Sequence, residues 1–527
     1  MAVDSPETKR AEARTVGVEL ASVLPDDGLP WYKRPHLLRL NFCILSLCLF
    51  SGSNGFDGSL LGGLLALPDW HSFMEYPEGA WLGFINAIYM LGAASAYPLA
   101  AWMCNKYGRK PGIWVGQGFM LLGTGLQAGA PNAIAFLMSR LLVGLSCGFM
   151  LSVPMLIAES AYPTQRGIAS SLYNCGWYGG SVIAAWSTFG CRNLPNNLGW
   201  RIPSALQVAL PLLAMPGFLM IDESPRWLVS MDRVDEARRN LTKIHGGGDA
   251  SSPLIAFEIA EIEATLKAEK EAQNSTSWAD LWSSPGNRHR LFISVSLGIF
   301  CQWVGNGVVS YYLVMVLASV GITSVTDQTL ISACLQLWNL IWACSAAAMV
   351  DRLGRRFLFL SSGTIMLVSY IIITGLSGSF ASTAHSPTGL AVIPFLFIYF
   401  AGYDIALTPL AVSYPIEIWP FQLRARGLSV SLLTSLVAVF FNIFINPIAL
   451  GAIQWKYYFV FIAVLIGMLV SVWFWYPETR GFTLETVGEI FDGPSAAVHT
   501  TAKDALREAS AHFEGAHEDE KDIREEK

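Results

Sequence analysis

Twelve apolar runs, each close to the roughly 20 residues that a helix needs to cross the hydrocarbon of a bilayer, leave this chain few ways to fold. They cover residues 41–66, 81–103, 112–130, 132–157, 168–188, 203–222, 291–317, 328–350, 357–377, 390–416, 428–449 and 455–476. Hydrocarbon offers the backbone no hydrogen-bond partners, so runs of this length that enter it must be helical. The expectation is an all-α membrane protein with 12 transmembrane helices. Composition agrees: only 14% of the 527 residues are charged, against about 25% in soluble domains.

Between the sixth and seventh runs lies a charged stretch that contains DEARRNLTKI and FEIAEIEATLKAEKEA. Its helical periodicity and Glu/Lys pairing predict a soluble helical insert. The expected organisation is a tail over 1–40, a six-helix bundle over 41–222, the helical linker over 223–290, a second bundle over 291–476 and a tail over 477–527. Basic residues crowd alternate loops; only Arg192, Arg201 and Lys456, of 34 lysines and arginines, fall on the other side. The positive-inside rule then places both termini and the insert in the cytoplasm. The sequons at Asn240 and Asn274 lie in that insert and read as chance matches. The first thirty residues lack an apolar h-region, so no cleavable signal peptide is expected.

The two halves echo each other. NKYGRK at 105–110 returns as DRLGRR at 351–356, Glu159 and Arg166 return as Glu417 and Arg424, and ESPRW at 223–227 returns as PETRG at 477–481. Matched loops at matched places predict two pseudo-symmetric six-helix bundles, the plan of a secondary transporter. Other function classes find little support. The nine cysteines have no CxxC spacing and the eight histidines avoid the interiors of the runs, so neither metal nor cofactor is expected. There is no nucleophile–base set for an enzyme and no basic patch for nucleic acid.

One acid and one base stand out at membrane depth. Asp57 sits in SGSNGFDGSL inside the first run, and Arg140 is the basic residue in the interior of a run, the fourth. Intramembrane acids are functional hypotheses by default. Two buried opposite charges on neighbouring helices should pair, because leaving either alone costs several kcal/mol. A proton on Asp57 would release that pair, so Asp57 is the expected proton-coupling acid and Arg140 its partner. Asp404, in GYDIALTP of the tenth run, either supports the helix break near Pro409 or touches substrate.

The motifs GFDGSLLGG, NKYGRK, Arg140 with Gly144, VPMLIAESAYPTQRG, ESPRWL, QWVGNGVVSYY, DRLGRR, YPIEIWPFQLRARG and YPETRGFTLE run from the first span to the end of the twelfth. In that order they resemble the sugar porter family of the major facilitator superfamily. QWVGNGVVSYYL, YDIALTPLAVSYPIE and NIFINPIAL resemble its fungal lactose and cellodextrin branch. The resemblance implies alternating access around a central sugar site, with proton symport. It carries substrate binding to Asn174, Gln302, Asn306 and Asn442, with Tyr311 and Tyr312 as aromatic neighbours and Asp404 as a further candidate. Amides that donate and accept, beside aromatic faces, are what a sugar ring requires. It also implies a cytoplasmic gate of Arg109, Glu159, Arg166, Glu223, Arg226, Asp351, Arg355, Glu417, Arg424 and Glu478. Departures include Asn105 for the usual aspartate, Asn174 and Cys301 for usual glutamines, and no tryptophan near Val412. Those departures predict a roomier pocket than a hexose porter's.

The resulting expectation is a sugar importer, for a disaccharide such as lactose or cellobiose, driven by protons in a plasma membrane and working as a monomer. Its partners are the sugar, the proton and the lipid bilayer. The alternatives are a facilitator or exporter of another polyol, acid or secondary metabolite, and a non-transporting sugar sensor; the short stretch after PETRG speaks against the sensor.

Overall fold

The computed structural model describes residues 20, 23–25, 30–480, 487 and 490–492, without the side chains of residues 347, 348 and 350–352. Much of both expected tails and the side chain of Asp351 thus fall outside the described residues. Among those described there is helix and no strand.

Among the described residues, nine helical stretches are long and apolar enough to cross a membrane. They give the first span (Pro35–Leu64), the second (Gly79–Tyr107), the fourth (Ala133–Ser160), the sixth (Leu198–Met220), the seventh (Pro285–Ser319) and the eighth (Val325–Ala346). The ninth (Arg355–Thr383) and tenth (Ser386–Ile418) follow, and Phe421–Trp475 holds two more, Phe421–Ile453 and Tyr458–Trp475. The third and fifth spans are Arg109–Ala128 and Arg166–Cys191, whose glycines and hydroxyl residues dilute their hydropathy. Twelve spans result, in two six-helix bundles with a helical insert between them. Large apolar side chains such as Leu122, Leu213 and Phe474 stand exposed on the outside, as expected where the solvent is lipid.

Three runs that read as continuous are broken. The fourth span pauses at Met150–Leu151, the sixth at Gln207–Val208, and the seventh at Val304–Gly305. At the last break Gly305 takes a φ of +104°. Tyrosines from other spans meet the freed carbonyls. Tyr403 donates to Cys301 O at 2.9 Å, Tyr399 to Val304 O at 3.2 Å and Tyr370 to Gly305 O at 2.9 Å. An unmet carbonyl at this depth would cost roughly 1–3 kcal/mol, so the collar of hydroxyls is what makes the break tolerable.

The insert contains the helices Pro225–Ser230, Val234–Ile244 and Pro253–Ser275. Trp227, Leu228, Ala237, Leu241, Ile255 and Ile259 form its own small core. Leu254 and Leu20 join a cluster with Ile157, Tyr162 and Ala169, which docks the insert and the N-terminal segment at one end of the molecule. At the opposite end the two halves meet closely. A Cβ on Gly83 of the second span would lie 2.4 Å from Phe444 O of the eleventh, and one on Gly62 would lie 3.1 Å from Ser310 O of the seventh. Arg192 Nε reaches Thr326 Oγ1 at 3.2 Å across the same seam.

Candidate functional site

The duplicated loops fold into duplicated charge networks. Gly108 precedes the third span with a φ of +103°, and Gly354 precedes the ninth with a φ of +92°. Each leaves two main-chain amides at a helix start, where the helix dipole favours an anion. Glu223 Oε1 and Oε2 accept from the amides of Arg109 and Lys110, both at 3.0 Å. Glu478 does the same for Arg355 and Arg356, at 2.9 and 3.0 Å. Arg109 then pairs with Glu159 (Nη2–Oε1 2.7 Å) and Arg355 with Glu417 (Nη2–Oε1 3.0 Å). Ser224 donates to Glu159, and Thr479 to Glu417. The acids recur because each caps a helix or holds an arginine, which solvated loop charges would not need to do.

These pairs lie within their own halves. Arg166 turns to the insert, where its Nη2 meets Glu258 Oε1 at 3.3 Å, and Glu258 also contacts His245 Nδ1 at 2.7 Å. Arg226 meets Glu269 of the insert near the surface, with 32% and 47% of the side chains exposed, where an ion pair is worth about 0–1 kcal/mol. Arg424 donates through Nε to Trp419 O at 3.4 Å, matching the 3.3 Å contact of Arg166 with Ala161 O.

Asp57 and Arg140 come together, though carboxylate and guanidinium form no ion pair. Both are buried, at 1% and 3% exposure. Arg140 Nη1 donates to the main-chain carbonyl of Asp57 at 3.4 Å. Asp57 Oδ1 and Arg140 Nε are buried with no hydrogen-bond partner. The guanidinium lies over Tyr89, 5.0 Å from its centroid, a cation–π contact of the kind that holds an arginine otherwise short of partners.

The expected sugar contacts scatter more. Gln302 Nε2 donates to Ser435 Oγ at 3.0 Å, tying the seventh span to the eleventh. Asn306 opens the second segment of the seventh span and its Oδ1 is buried without a partner. Tyr311 is half-buried and packs against the Ala87–Val439–Ile443 cluster between the halves. Asn174 is exposed on the fifth span. Asn442 accepts from Asn446 at 3.0 Å and crowds Gly307, where a Cβ would lie 1.8 Å from its Oδ1. Tyr312 is fully buried and donates to Ile443 O at 2.7 Å, so it packs the seventh span on the eleventh and its hydroxyl is already taken.

Asp404 crosses between the halves. Its Oδ1 lies 2.7 Å from the Tyr178 hydroxyl of the fifth span and 3.0 Å from Thr408 Oγ1 one turn on. Tyr178 and Thr408 lie 2.8 Å from each other. Nothing in the sequence marks Tyr178, Thr408, Ser435 or any one of the three collar tyrosines for these contacts. The signal for the collar was available, since Val304-Gly305 must free carbonyls and tyrosine is the residue that can reach them.

The family described as "Sugar (and other) transporter" matches residues 43–491. The MFS glucose transporter mfs1 of Aspergillus flavus is 26% identical, over 85% of this chain and 89% of its own. The low-affinity glucose transporter HXT1 of Saccharomyces cerevisiae is 25% identical, over 93% and 88%. Among solved structures, the inward open conformation of the xylose transporter XylE from Escherichia coli superposes with a TM-score of 0.71 at 20% identity, covering 86% of this chain and all of that one. The proton:xylose symporter XylE bound to 6-bromo-6-deoxy-D-glucose gives 0.68 at 20% identity, over 86% and 99%.

Proposed function

Because this chain belongs to the sugar (and other) transporter family, within the major facilitator superfamily, we propose that it imports a disaccharide such as cellobiose or lactose together with protons. The observation that carries the proton half is the buried couple of Asp57 and Arg140, with a carboxylate oxygen and a guanidinium nitrogen unmet. At membrane depth neither charge is retained without a use. When the couple is closed, the carboxylate is neutralised by the arginine; when it is parted, as here, the carboxyl is free to take a proton.

The sugar is held between the halves by Gln302, Asn306 and Tyr311, with Asn174, Asn442 and Asp404 at the edges of that region. Val412 supports a substrate larger than a hexose, since it is 45% exposed and small where hexose porters are expected to carry a tryptophan. Transport of glucose by relatives such as HXT1 and proton coupling in XylE support the class of substrate and of driving ion.

The halves rock about the site. In the conformation seen here they touch at the end away from the insert, and the charge networks at the insert end stay within each half. When that end closes, Arg109, Glu159, Glu223, Arg355, Glu417 and Glu478 face their counterparts and form the latch. The basic loops support a cytoplasmic position for this end; on this reading the chain lies in a plasma membrane and acts as a monomer.

The test is uptake of labelled cellobiose, lactose, glucose and xylose in transporter-deficient yeast, with and without protonophore. Disaccharide accumulation that collapses with protonophore is expected. Uptake indifferent to protonophore removes the symport reading, and no uptake of any sugar favours another cargo or a sensor.

A further inference from the structure

Three oxygens at the contact between the fifth and tenth spans are mutually within hydrogen-bond distance. Tyr178 Oη to Asp404 Oδ1 is 2.7 Å, Thr408 Oγ1 to Asp404 Oδ1 is 3.0 Å, and Tyr178 Oη to Thr408 Oγ1 is 2.8 Å. Each such contact needs one hydrogen between its oxygens. A tyrosine and a threonine bring one apiece, and an ionised carboxylate brings none. With Asp404 charged, three contacts share two hydrogens and one pair of oxygens faces lone pair to lone pair. A proton on Oδ1 supplies the missing hydrogen and closes a ring in which each oxygen donates once and accepts once.

The surroundings favour the same state. Asp404 is 1% exposed and its Oδ2 has no hydrogen-bond partner. A charged carboxylate with one oxygen bare is expensive at this depth, and a neutral acid far less so. No lysine, arginine or histidine among the described residues lies within ion-pair distance of it. Tyr399 and Tyr403 flank it on its own helix and Tyr178 faces it from the fifth. Among the spans packed on the tenth, the seventh brings Cys301, Tyr311 and Tyr312, the eighth Asp327, Cys334 and Cys344, and the ninth Tyr370. Their basic side chains among those described, Arg288, His289, Arg290, Arg355, Arg356, Arg424 and Arg426, stand at the insert end and hydrogen-bond there.

We infer that Asp404 is a second proton site of this chain, distinct from Asp57, whose proton closes a hydrogen-bond ring with Tyr178 and Thr408 that fastens one half to the other. Tyr178 belongs to the first half and Asp404 and Thr408 to the second, so the ring exists only while the fifth and tenth spans are in contact. Separation of the halves opens the ring and wets the carboxyl, which then releases its proton. Proton affinity and conformation are thereby linked, and the linkage is reciprocal. The inference rests on the alternating-access reading above but does not need the cargo to be a sugar.

The test is infrared spectroscopy of the full chain in lipid nanodiscs at neutral pH, followed in the C=O stretch of protonated carboxyl groups. A band present in the unsubstituted chain should vanish in Asp404→Asn, persist in Asp57→Asn, and shift in Tyr178→Phe and in Thr408→Val. An identical band in Asp404→Asn overturns the inference. If Asp404→Asn does not fold, an unshifted band in Tyr178→Phe overturns it instead. Sugar uptake into proteoliposomes is measured on the same preparations. A chain that moves no sugar yet keeps the Asp404 band defeats the proposed function alone, and a working symporter without that band defeats this inference alone.

Discussion

Arg140 holds the main-chain carbonyl of Asp57, at 3.4 Å, while the Asp57 carboxylate oxygen Oδ1 has no hydrogen-bond partner. The arginine is therefore kept beside the acid by a contact that does not depend on the acid's charge. Replacing Asp57 with Asn should leave Arg140 in place and abolish uphill uptake, while sugar exchange across the membrane continues. Counterflow and accumulation assays separate the two; undiminished accumulation would sink the coupling role. Arg140→Lys keeps the charge and loses the planar fork, and should weaken accumulation without abolishing it.

Glu223 and Glu478 each cap the start of a span in their own half. Glu223→Gln and Glu478→Gln should each cost about 0.5–2 kcal/mol, the worth of a helix cap. Their effects on thermal stability in detergent should add, because they share no partner. Gly108→Ala and Gly354→Ala should cost more, since a Cβ would sit 2.5 Å from Glu223 Oε2 and 2.8 Å from Glu478 Oε2 at a positive φ.

At the break in the seventh span, Tyr370→Phe removes the hydroxyl that meets Gly305 O. The expected loss is roughly 1–3 kcal/mol, the cost of a buried unsatisfied group. Gly305→Ala should be worse tolerated, because its Cβ would lie 2.3 Å from that same hydroxyl. Melting of the purified variants checks the order.

Val412→Trp fills the space that the proposed disaccharide needs. Cellobiose and lactose uptake should fall at least tenfold while glucose or xylose uptake is kept or gained. Equal losses for all four sugars would mean that Val412 does not grade substrate size.

Much of this was readable in the chain before any coordinates. Hydrophobic runs report spans directly, and the loop pairs 105–110 with 351–356 and 223–227 with 477–481 mark the repeated charges, though not that each network closes within its own half. Charge at membrane depth singles out Asp57 and Arg140, which are neighbours through a main-chain carbonyl while their charges stay apart. What the sequence could not show depends on helix rotation and on contacts between the halves. Tyr178 reads as one tyrosine among many until the fifth span turns it toward Asp404. Tyr312, one residue from Tyr311, sits at a kink in the seventh span, with a φ of −129° and a ψ of 26°, and is buried in packing where Tyr311 is only half-buried. The breaks at Gln207–Val208 and Met150–Leu151 carry no glycine or proline at the break itself, so periodicity ran through them unmarked.

The seam away from the insert is lined where Gly83 meets Phe444 O and Gly62 meets Ser310 O. A glycine against a carbonyl has no teeth: at these two points backbone slides on backbone, and the side chains that do bridge the seam include Arg192 on Thr326 and Ala87 beside Val439 and Ile443. The converse is that a single methyl group acts as a shim. Gly83→Ala, with its Cβ only 2.4 Å from the facing oxygen, would prop this end ajar and tip the whole molecule toward the opposite opening, as a wedge under one foot tilts a table.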